Sequence, residues 1–497
     1  MEPPPVEFSA SRFDFLRTRI GFVLGPLLFL VVLITPLPGL TPQAHALAAI
    51  LGLVIVFWMS ECIPMAATAL LGPALCVVLG VAKDEVVFAS FGHKIVLLFI
   101  GSFLLAEAMQ KHGLDRRIAY YVLSLPGVAR TPGRIVAAFG LLTALLSMWM
   151  SNTAITAVML PIGLGVLRSN PVLAARRDIA TSLVLMIAFA ASIGGLATPV
   201  GTPTNLVAVG QLERALGVQI SFFDWMRLAL PLTAALLAGL FLVVRPREAN
   251  AADFTSVAEE VRRGRATLGP MTIGQRHAAG AFALAVSLWM YPGLVEMLFG
   301  KGRFGADVLA QRLPEETVGI VIGLLLFVLP TDWKRWEFTL DWRDGQRIDW
   351  GTVLLFGGGL ALGKQIFDTG LAKAIGDGVI STLGQPGFIA LMLVAILMSI
   401  VLSEATSNTA SANVMVPMMI AVSQSAEVAP VPIALAACLA CSFGFMLPIS
   451  TPPNALAYGT GLVPLPQMIR SGLLLDLIGA ATIPLIIYFL APLLGWR

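Results

Sequence analysis

Long stretches of apolar residues recur along this chain and are separated by short polar segments. A helix of about 20 predominantly apolar residues crosses the hydrocarbon core of a bilayer. Each stretch therefore predicts a membrane-spanning helix. The predicted spans are 21–37, 44–60, 65–81, 95–110, 182–210, 226–244, 277–297, 316–330, 351–367, 431–461 and 470–493.

Two further apolar regions, 135–168 and 387–424, are each interrupted near the middle by the same polar tetrapeptide, SNTA. The two copies lie at 151–154 and 407–410. Ser and Asn compete for backbone hydrogen bonds inside a helix and favour helix starts. Two helical legs joined at a polar tip therefore explain each region better than one unbroken helix. We predict two re-entrant hairpins.

Composition agrees with a membrane location. Of the 497 residues, 57% are hydrophobic and 12% are charged, which is too apolar for a soluble globular protein. The net charge of +3 is ordinary for a membrane protein and indicates no nucleic-acid partner. The predicted fold class is an all-α polytopic membrane protein in a lipid bilayer, with about 11 transmembrane helices plus the two hairpins.

The two halves of the chain resemble each other. VLLFIGSFLLAEAMQKHGL at 96–114 aligns without a gap on VLLFGGGLALGKQIFDTGL at 353–371, and SNTA occurs once in each half. GTPTN at 201–205 likewise matches STPPN at 450–454. Three matching blocks in the same order indicate an internal duplication. The paired motifs are then two halves of one site, or two related sites.

Charge predicts how the repeats are oriented. The segment after 96–114 is basic, with Arg116, Arg117, Arg130 and Arg134, whereas the corresponding segment after 353–371 has Lys373 as its one basic residue. Excess Lys and Arg marks cytoplasmic loops. The two segments should therefore lie on opposite sides of the membrane. Inverted repeats of this kind are the architecture of many secondary transporters.

The duplication also predicts how the chain is divided. We expect an N-terminal segment with the first span at 1–43, a first repeat at 44–244, a polar linker at 245–276 and a second repeat at 277–497. The N-terminus has several Arg residues before the first span and no cleavage site of the secretory type, so we interpret it as a cytoplasmic leader. The linker is expected to be cytoplasmic too. The expected location is a bacterial inner (plasma) membrane.

The proline-containing motifs predict breaks in two long spans. Pro203, Pro452 and Pro453 prevent helix continuation, and non-helical backbone at membrane depth is tolerated only inside protein or beside a watery cavity. Four helix ends would thus converge with the two SNTA tips. Amides at helix N-termini bind carboxylates or other oxyanions, and backbone and side-chain oxygens suit hard cations such as sodium. The sequence therefore predicts a site for an anion together with cations.

These motifs resemble the divalent anion:sodium symporter family, the INDY-like di- and tricarboxylate transporters. The resemblance covers nearly the whole chain and includes WMSECIPMAATALL at 58–71, DWGTVLLFGGGLALGK at 349–364, both SNT motifs, and ATPVGTPTN and STPPNALAYGTG. It implies an elevator-type fold of the ion transporter superfamily, a homodimer, and in each protomer a transport part that moves against a scaffold. The scaffold would include the spans near 44–81 and 277–330.

The resemblance also implies site residues, which fall into two sets. The residues expected to bind substrate carboxylates are Ser151, Asn152, Thr153, Thr202, Ser407, Asn408, Thr409 and Pro452. The residues expected to bind sodium are Ser147, Ser151, Asn152 and Gly201 at one site, and Ser403, Thr406, Asn408 and Ser450 at the other. Sodium would be a co-transported ion and not a prosthetic group.

The function expected from these motifs is sodium-coupled symport of C4-dicarboxylates such as succinate, fumarate and malate. The motifs contain no Arg or Lys, so amide dipoles and co-bound cations must balance a dianion. Alternatives are a sodium-independent dicarboxylate exchanger of the same fold, a carrier for citrate or sulfate, and a channel. An intramembrane hydrolase would need a base to activate a Ser, and neither motif supplies one.

One carboxylate beside the second motif needs an explanation of its own. Glu404 is a candidate proton carrier, because carboxylates within membrane segments are functional candidates by default. The favoured interpretation is nevertheless a structural ion pair or an exposed position, since Met148 occupies the equivalent place in the first repeat.

Overall fold

The computed structural model describes residues 12–170, 173, 175–246 and 255–496. The predicted leader and linker therefore lie partly outside the described residues, at 1–11 and 247–254. The described chain is helical, apart from one short antiparallel pair of strands, β1 (Pro330–Asp332) and β2 (Glu337–Phe338). The all-α polytopic membrane fold is confirmed.

We number the helices that the structure describes in chain order. They are α1 Arg12–Ile34, α2 Pro42–Ser60, α3 Met65–Val78, α4 Asp84–Phe88, α5 Lys94–Lys111, α6 Leu114–Leu123, α7 Pro132–Ser147, α8 Asn152–Ser169, α9 Arg177–Gly195, α10 Pro203–Leu216, α11 Phe222–Val244, α12 Thr255–Ala266, α13 Ile273–Phe299, α14 Ala306–Arg312, α15 Glu315–Leu325, α16 Trp342–Arg347, α17 Trp350–Asp368, α18 Leu371–Leu383, α19 Phe388–Ala405, α20 Asn408–Ser425, α21 Pro430–Ala440, α22 Pro452–Gly459 and α23 Leu465–Leu490.

Nine helices of the described part are long and apolar enough to cross a membrane. Two of the nine, Asn152–Ser169 and Phe388–Ala405, are legs of the hairpins, so seven correspond to predicted spans. The other predicted spans are shorter or less apolar helices, or are split by a break. The span predicted at 65–81 is the shorter α3, and the one at 431–461 is divided between α21 and α22. Helix α1 keeps large apolar side chains such as Phe22 and Ile34 exposed, as a lipid-facing helix does.

The order of elements repeats along the chain. Helices α5 to α11 run as a long helix, a short helix, a two-legged hairpin, a helix, a break, a shorter helix and a long final helix. Helices α17 to α23 follow the same order. The correspondence is the structural counterpart of the three repeated sequence blocks.

Each SNTA region is a pair of helices joined by a short turn, as predicted. In the first hairpin, α7 ends at Ser147 and α8 begins at Asn152. In the second, α19 ends at Ala405 and α20 begins at Asn408. The Ser of SNTA is the N-cap of the second leg in both hairpins, which is the position that Ser favours. The tetrapeptide thus sets the start of a helix.

The predicted breaks are present at both proline motifs. Backbone that is not helical separates α9 from α10 and α21 from α22, and each second helix starts with Pro203 or Pro452. Proline is favoured there because the first helical residue needs no N–H for the helix. One asparagine stabilises each break: Asn205 Nδ2 donates to the carbonyls of Gly195 (2.9 Å) and Thr198 (2.7 Å). Asn454 Nδ2 donates to those of Gly444 (2.8 Å) and Leu447 (3.0 Å).

The two halves pack against each other around these breaks. Helix α10 of the first half contacts α20 and α21 of the second, and α22 of the second contacts α8 and α9 of the first. The hydroxyls of Thr204 and Ser442 lie 2.8 Å apart across this contact. Buried apolar side chains from both halves, such as Phe189 and Phe445, stack edge to face. The breaks are therefore held at the centre of the protein.

Candidate functional site

A cavity of about 680 Å³ lies where the two hairpin turns and the two helix breaks meet. All of the sequence-predicted substrate residues line it, although they come from segments about 250 residues apart in the chain. They are Ser151, Asn152, Thr153, Thr202, Ser407, Asn408, Thr409 and Pro452. The fold therefore brings the two motif copies together in one place.

Four helix N-termini border the cavity. They belong to α8, α10, α20 and α22, and their N-caps are Ser151, Thr202, Ser407 and Thr451. The first three caps make no side-chain capping hydrogen bond, whereas Thr451 accepts one from the backbone of Asn454. The first turn of a helix has free N–H groups and the positive end of the helix dipole. Helix α22 has no such free donors, because Pro452 and Pro453 lack an N–H and the N–H of Asn454 is bonded to Thr451. The amide donors that the cavity offers to an anion therefore come chiefly from the two hairpin turns, without a lysine or arginine in the motifs.

Several oxygen atoms lie close together behind the first hairpin turn. The amide oxygen of Asn152 accepts a hydrogen bond from Ser147 Oγ at 2.7 Å. Gly201 packs against two backbone carbonyl oxygens. A Cβ atom on it would be 2.6 Å from the carbonyl oxygen of Gly195 and 2.9 Å from that of Met148. Carbonyl, amide and hydroxyl oxygens are the ligands that hard cations prefer. This cluster is the candidate for the first cation site.

The second hairpin turn repeats the arrangement. Ser403 Oγ lies 2.9 Å from the amide oxygen of Asn408 and 2.6 Å from the carbonyl oxygen of Cys441. Its single proton can serve only one of these acceptors at a time. Thr406 is buried and its hydroxyl lies 3.3 Å from Ser411 Oγ. Ser450 Oγ lies 3.0 Å from the backbone oxygen of Glu404.

The predicted sodium residues occupy two layers. Ser151, Asn152, Gly201, Asn408 and Ser450 border the cavity, whereas the other three lie behind it. Those three are Ser147, Ser403 and Thr406, and all are buried. Asn152 and Asn408 connect the two layers. Each lines the cavity and accepts a hydrogen bond from the buried serine behind it.

Several cavity residues are not among the site residues that the sequence predicts. Glu107, Arg347 and Asp349 line the cavity, together with Ser102 and Thr451. Among the described lining residues, Arg347 is the single Lys or Arg, and its guanidinium lies 3.5 Å from Asp344. Its position just before the repeated block at 353–371 was visible in the sequence, but nothing there indicated that it faces the motifs.

The favoured interpretation of Glu404 is wrong. Its side chain is 5% exposed, and among the described residues it forms no ion pair. Backbone N–H groups of Met446 (2.7 Å) and Leu447 (3.2 Å) donate to its carboxylate instead. The error arose because hydropathy cannot foresee that the helix break after α21 turns its free amides toward this residue.

Comparison with known proteins confirms the family that the motifs indicated. The profile of the family described as sodium:sulfate symporter transmembrane region matches residues 19–496. The sodium-dependent dicarboxylate transporter SdcS of Staphylococcus saprophyticus is 33% identical over 486 residues, which are 95% of this chain and 91% of that protein. SdcS of Staphylococcus aureus gives the same values.

Two solved structures resemble the fold. The YdaH transporter of Alcanivorax borkumensis matches with a TM-score of 0.53 and 15% identity over 96% of this chain and 98% of that one. MtrF of Neisseria gonorrhoeae, described as illuminating a class of antimetabolite efflux pumps, matches with a TM-score of 0.53 and 13% identity, over 95% and 94% of the two chains. At these identities the likeness concerns the fold alone.

Proposed function

Because this chain belongs to the sodium:sulfate symporter family, we propose that it is a sodium-coupled symporter of C4-dicarboxylates such as succinate, fumarate and malate. Membership makes it an integral membrane transporter and not an enzyme. The relatives named sodium-dependent dicarboxylate transporters support the coupling ion and the substrate class. The proposed location is a bacterial inner membrane, with the N-terminus in the cytoplasm and the repeats inverted.

The observation that carries the proposal is the convergence of the two hairpin turns, each with a helix N-terminus at its Ser-Asn-Thr group, on one cavity beside the two helix breaks. A dicarboxylate has two anionic ends, and the cavity offers two equivalent Ser-Asn-Thr groups, one on each hairpin. Each end of the substrate can therefore accept hydrogen bonds from one hairpin turn. This twofold match favours a short dicarboxylate over sulfate, which has one compact centre, and over citrate, which has three carboxylates.

Sodium supplies the charge balance in this scheme. Two sodium sites are proposed, one with Ser147, Ser151, Asn152 and Gly201, and the other with Ser403, Thr406, Asn408 and Ser450. Each asparagine has an oxygen for the cation and an NH2 group for the substrate, so one side chain can contact both solutes. Sodium binding then orders the hairpin turn and raises the affinity for the dianion.

Transport is proposed to follow an elevator mechanism in a homodimer. Helices α7–α11 and α19–α23 would move together as the transport part, and the spans near 44–81 and 277–330 would belong to the scaffold. Helix α17 contacts both α10 and α20 of the moving part, and its Gly359 accepts a hydrogen bond from Gln211 Nε2 at 3.0 Å. The glycines of α17 allow this close packing on the proposed transport part, because small residues let helix backbones approach each other.

Uptake of labelled succinate into proteoliposomes tests the proposal. One set of vesicles receives an inward sodium gradient, and a matched set receives internal succinate without sodium. Uptake that requires the sodium gradient supports a symporter, whereas uptake that requires only internal dicarboxylate identifies an exchanger. Unlabelled sulfate and citrate serve as competitors, and strong competition by either one with none by fumarate or malate would contradict the C4-dicarboxylate assignment.

A further inference from the structure

The cavity that the SNTA turns border opens toward one end of α5. Three of its lining residues, Glu107, Gln110 and Arg347, lie around the last turn of this helix, where Lys111 pairs with Asp344 at 2.6 Å. The side chain of Arg347 is 67% exposed, so the cavity reaches solvent on this side. The basic segment that follows α5 makes this the proposed cytoplasmic side.

A second cavity, of about 860 Å³, lies at the opposite end of α5, between the proposed scaffold and the proposed transport part. Lys94 of α5, Trp289 of α13 and Glu315 of α15 line it from one side, and Glu213 of α10 and Phe223 of α11 line it from the other. Helix α5 belongs with the scaffold because it packs on α13 and α15. At a rise of about 1.5 Å per residue, the two ends of α5 are about 25 Å apart.

Helix α10 makes two charged contacts beside this second cavity. Glu213 Oε1 lies 2.6 Å from Lys94 Nζ, and the two side chains are 17% and 41% exposed. The next residue, Arg214, donates from Nη1 to Ser90 Oγ at 2.6 Å. Ser90 is fully buried and lies in the segment just before α5. Two neighbouring side chains of opposite charge thus bind α10 to α5 and to the segment that leads into it.

Helix α11 makes a third contact at the same end. Its first residue, Phe222, donates its backbone N–H to the Glu315 carboxylate at 2.6 Å. A carboxylate is favoured there because the first N–H groups of a helix have no partner within the helix. The backbone oxygen of Glu315 also accepts a hydrogen bond from Trp289 Nε1 at 2.9 Å. Glu315 therefore connects α11 of the transport part with α13 and α15 of the scaffold.

The surroundings of these contacts allow them to break. Lys94, Glu213 and Glu315 line the second cavity, so water can solvate them once their partners leave. A partly exposed ion pair contributes little net free energy, unlike a continuous apolar contact. Helix α10 packs on α20 and α21 of the same part, so it can move together with them.

We propose that Glu213, Arg214 and Glu315 form a latch, which stabilises the state whose site cavity opens on the proposed cytoplasmic side and which breaks when the transport part moves. This inference rests on the proposed function, because it uses the two parts of the elevator mechanism. A contact that is made in only one of two states shifts the equilibrium toward that state by its own free energy. The latch thus opposes the return of the transport part to the other side.

Cross-linking tests whether the latch opens during transport. Lys94→Cys and Glu213→Cys are combined with Cys62→Ser, since the other native cysteines are buried. A short, cleavable reagent with two thiol-reactive groups should join the two positions and lower sodium-driven uptake by about tenfold or more, and cleavage should restore it. Sodium-dependent succinate binding should survive. A reagent with one thiol-reactive group controls for modification itself.

The matched control is a pair on one helix. Lys364→Cys and Asp368→Cys replace an ion pair within α17, and the same cross-link there should leave uptake unchanged. Undiminished uptake after complete cross-linking of positions 94 and 213 overturns the latch. Failure of these two positions to cross-link in a folded, sodium-binding protein also overturns it.

Exchange of the charges tests the latch without a cross-link. Spin labels on Leu230→Cys of α11 and Leu298→Cys of α13, both exposed positions, measure the distance between the two parts. Glu213→Lys should raise the population of a second distance by about three- to tenfold. Adding Lys94→Glu should restore the first distance. Unchanged distances in Glu213→Lys, or no recovery in the exchanged pair, contradict the latch.

The control for this measurement is an ion pair that does not connect the two parts. Glu260→Gln removes the partner of Arg263 within α12 and should leave the label distances unchanged. The outcomes also separate the latch from the proposed function. Sodium-driven uptake that survives complete cross-linking overturns the latch and leaves the symporter intact. Charge-dependent distances in a protein without sodium-driven uptake support the latch and contradict the proposed function.

Discussion

The two hairpin turns share their geometry and differ in their charge. In both, an asparagine at the start of the second leg accepts a hydrogen bond from a serine five residues earlier, at 2.7 Å in the first hairpin and 2.9 Å in the second. The residues around this bond are different. The first turn has Met148 and Gly201 where the second has Glu404 and Ser450. The first long final helix, α11, also has no acidic residue after Asp224, whereas α23 has Asp476.

This comparison distinguishes the residues that both repeats need from the residues that can differ between them. The serine–asparagine bond and the asparagine at each helix break hold backbone that is not helical, so both copies need them. The first cation candidate is built from neutral carbonyl and amide oxygens. The second has a buried carboxyl next to it. Equivalent substitutions at the two candidate cation sites should therefore have different effects on sodium binding.

Exchange of the residues that differ should give the largest effect. Gly201→Ser should abolish sodium-dependent uptake, because a Cβ atom would lie 2.6 Å from the Gly195 carbonyl oxygen and 2.9 Å from that of Met148. Ser450→Gly adds no atoms and should only weaken sodium binding. Uptake against sodium concentration measures both variants. Equal losses would show that the two sites are not distinguished by packing.

Removal of the shared asparagine should give the next largest effect. Asn152→Ala and Asn408→Ala should each weaken sodium and succinate together, with a lost coupling of about 1–3 kcal/mol. Succinate affinity should then depend less on sodium concentration. Binding titrations across sodium concentrations measure this. A loss of succinate affinity by the same factor at every sodium level would make the residue a substrate ligand alone.

Removal of the serine behind each asparagine should give a smaller effect. Ser147→Ala and Ser403→Ala delete one hydrogen bond, which contributes about 0.5–1.5 kcal/mol, and should weaken sodium binding by roughly three- to tenfold. Succinate binding should be recovered at high sodium. Only Ser403 also approaches the Cys441 carbonyl, so its replacement should cost more than that of Ser147. Calorimetric sodium titration would reveal the opposite order if this comparison is wrong.

The smallest effect is expected at a pair of equivalent positions outside the turns. Glu107 lines the cavity, whereas its counterpart Lys364 pairs with Asp368 four residues later on the same helix. Exposed pairs of this kind contribute at most about 0.5 kcal/mol. Lys364→Ala should therefore leave sodium-driven uptake and thermal unfolding unchanged within error. A strong loss of uptake would show that this surface takes part in transport.

Much of the fold could be predicted from the sequence because its signals are local. Apolar runs predicted the helices, the prolines predicted the breaks before α10 and α22, and the Ser-Asn pair predicted the hairpin turns. These signals act within a few residues through backbone hydrogen bonding and solvation. The repeated blocks predicted that the motif copies meet, and both copies line one cavity.

The number of full-length spans was less predictable. A hydropathy run such as 431–461 does not reveal that its centre is non-helical backbone, so α21 and α22 are each too short to cross alone. The N–H groups released by that break donate to Glu404, which removes the need for the ion pair that the sequence had suggested. The sequence showed where the proline breaks the span, but not that the backbone N–H groups in this break donate to Glu404.

The sequence by itself determined the membrane fold, the duplication and the residues of the two turns, because each depends on neighbours along the chain or on identity between the halves. Only the tertiary structure decided which distant groups face one another. Arg347 borders the cavity, and the backbone N–H groups of Met446 and Leu447 donate to Glu404 from another segment. The energy of a buried charge depends on all groups within a few ångströms, whatever their separation in sequence. No pattern along the chain specifies those neighbours until the helices are packed.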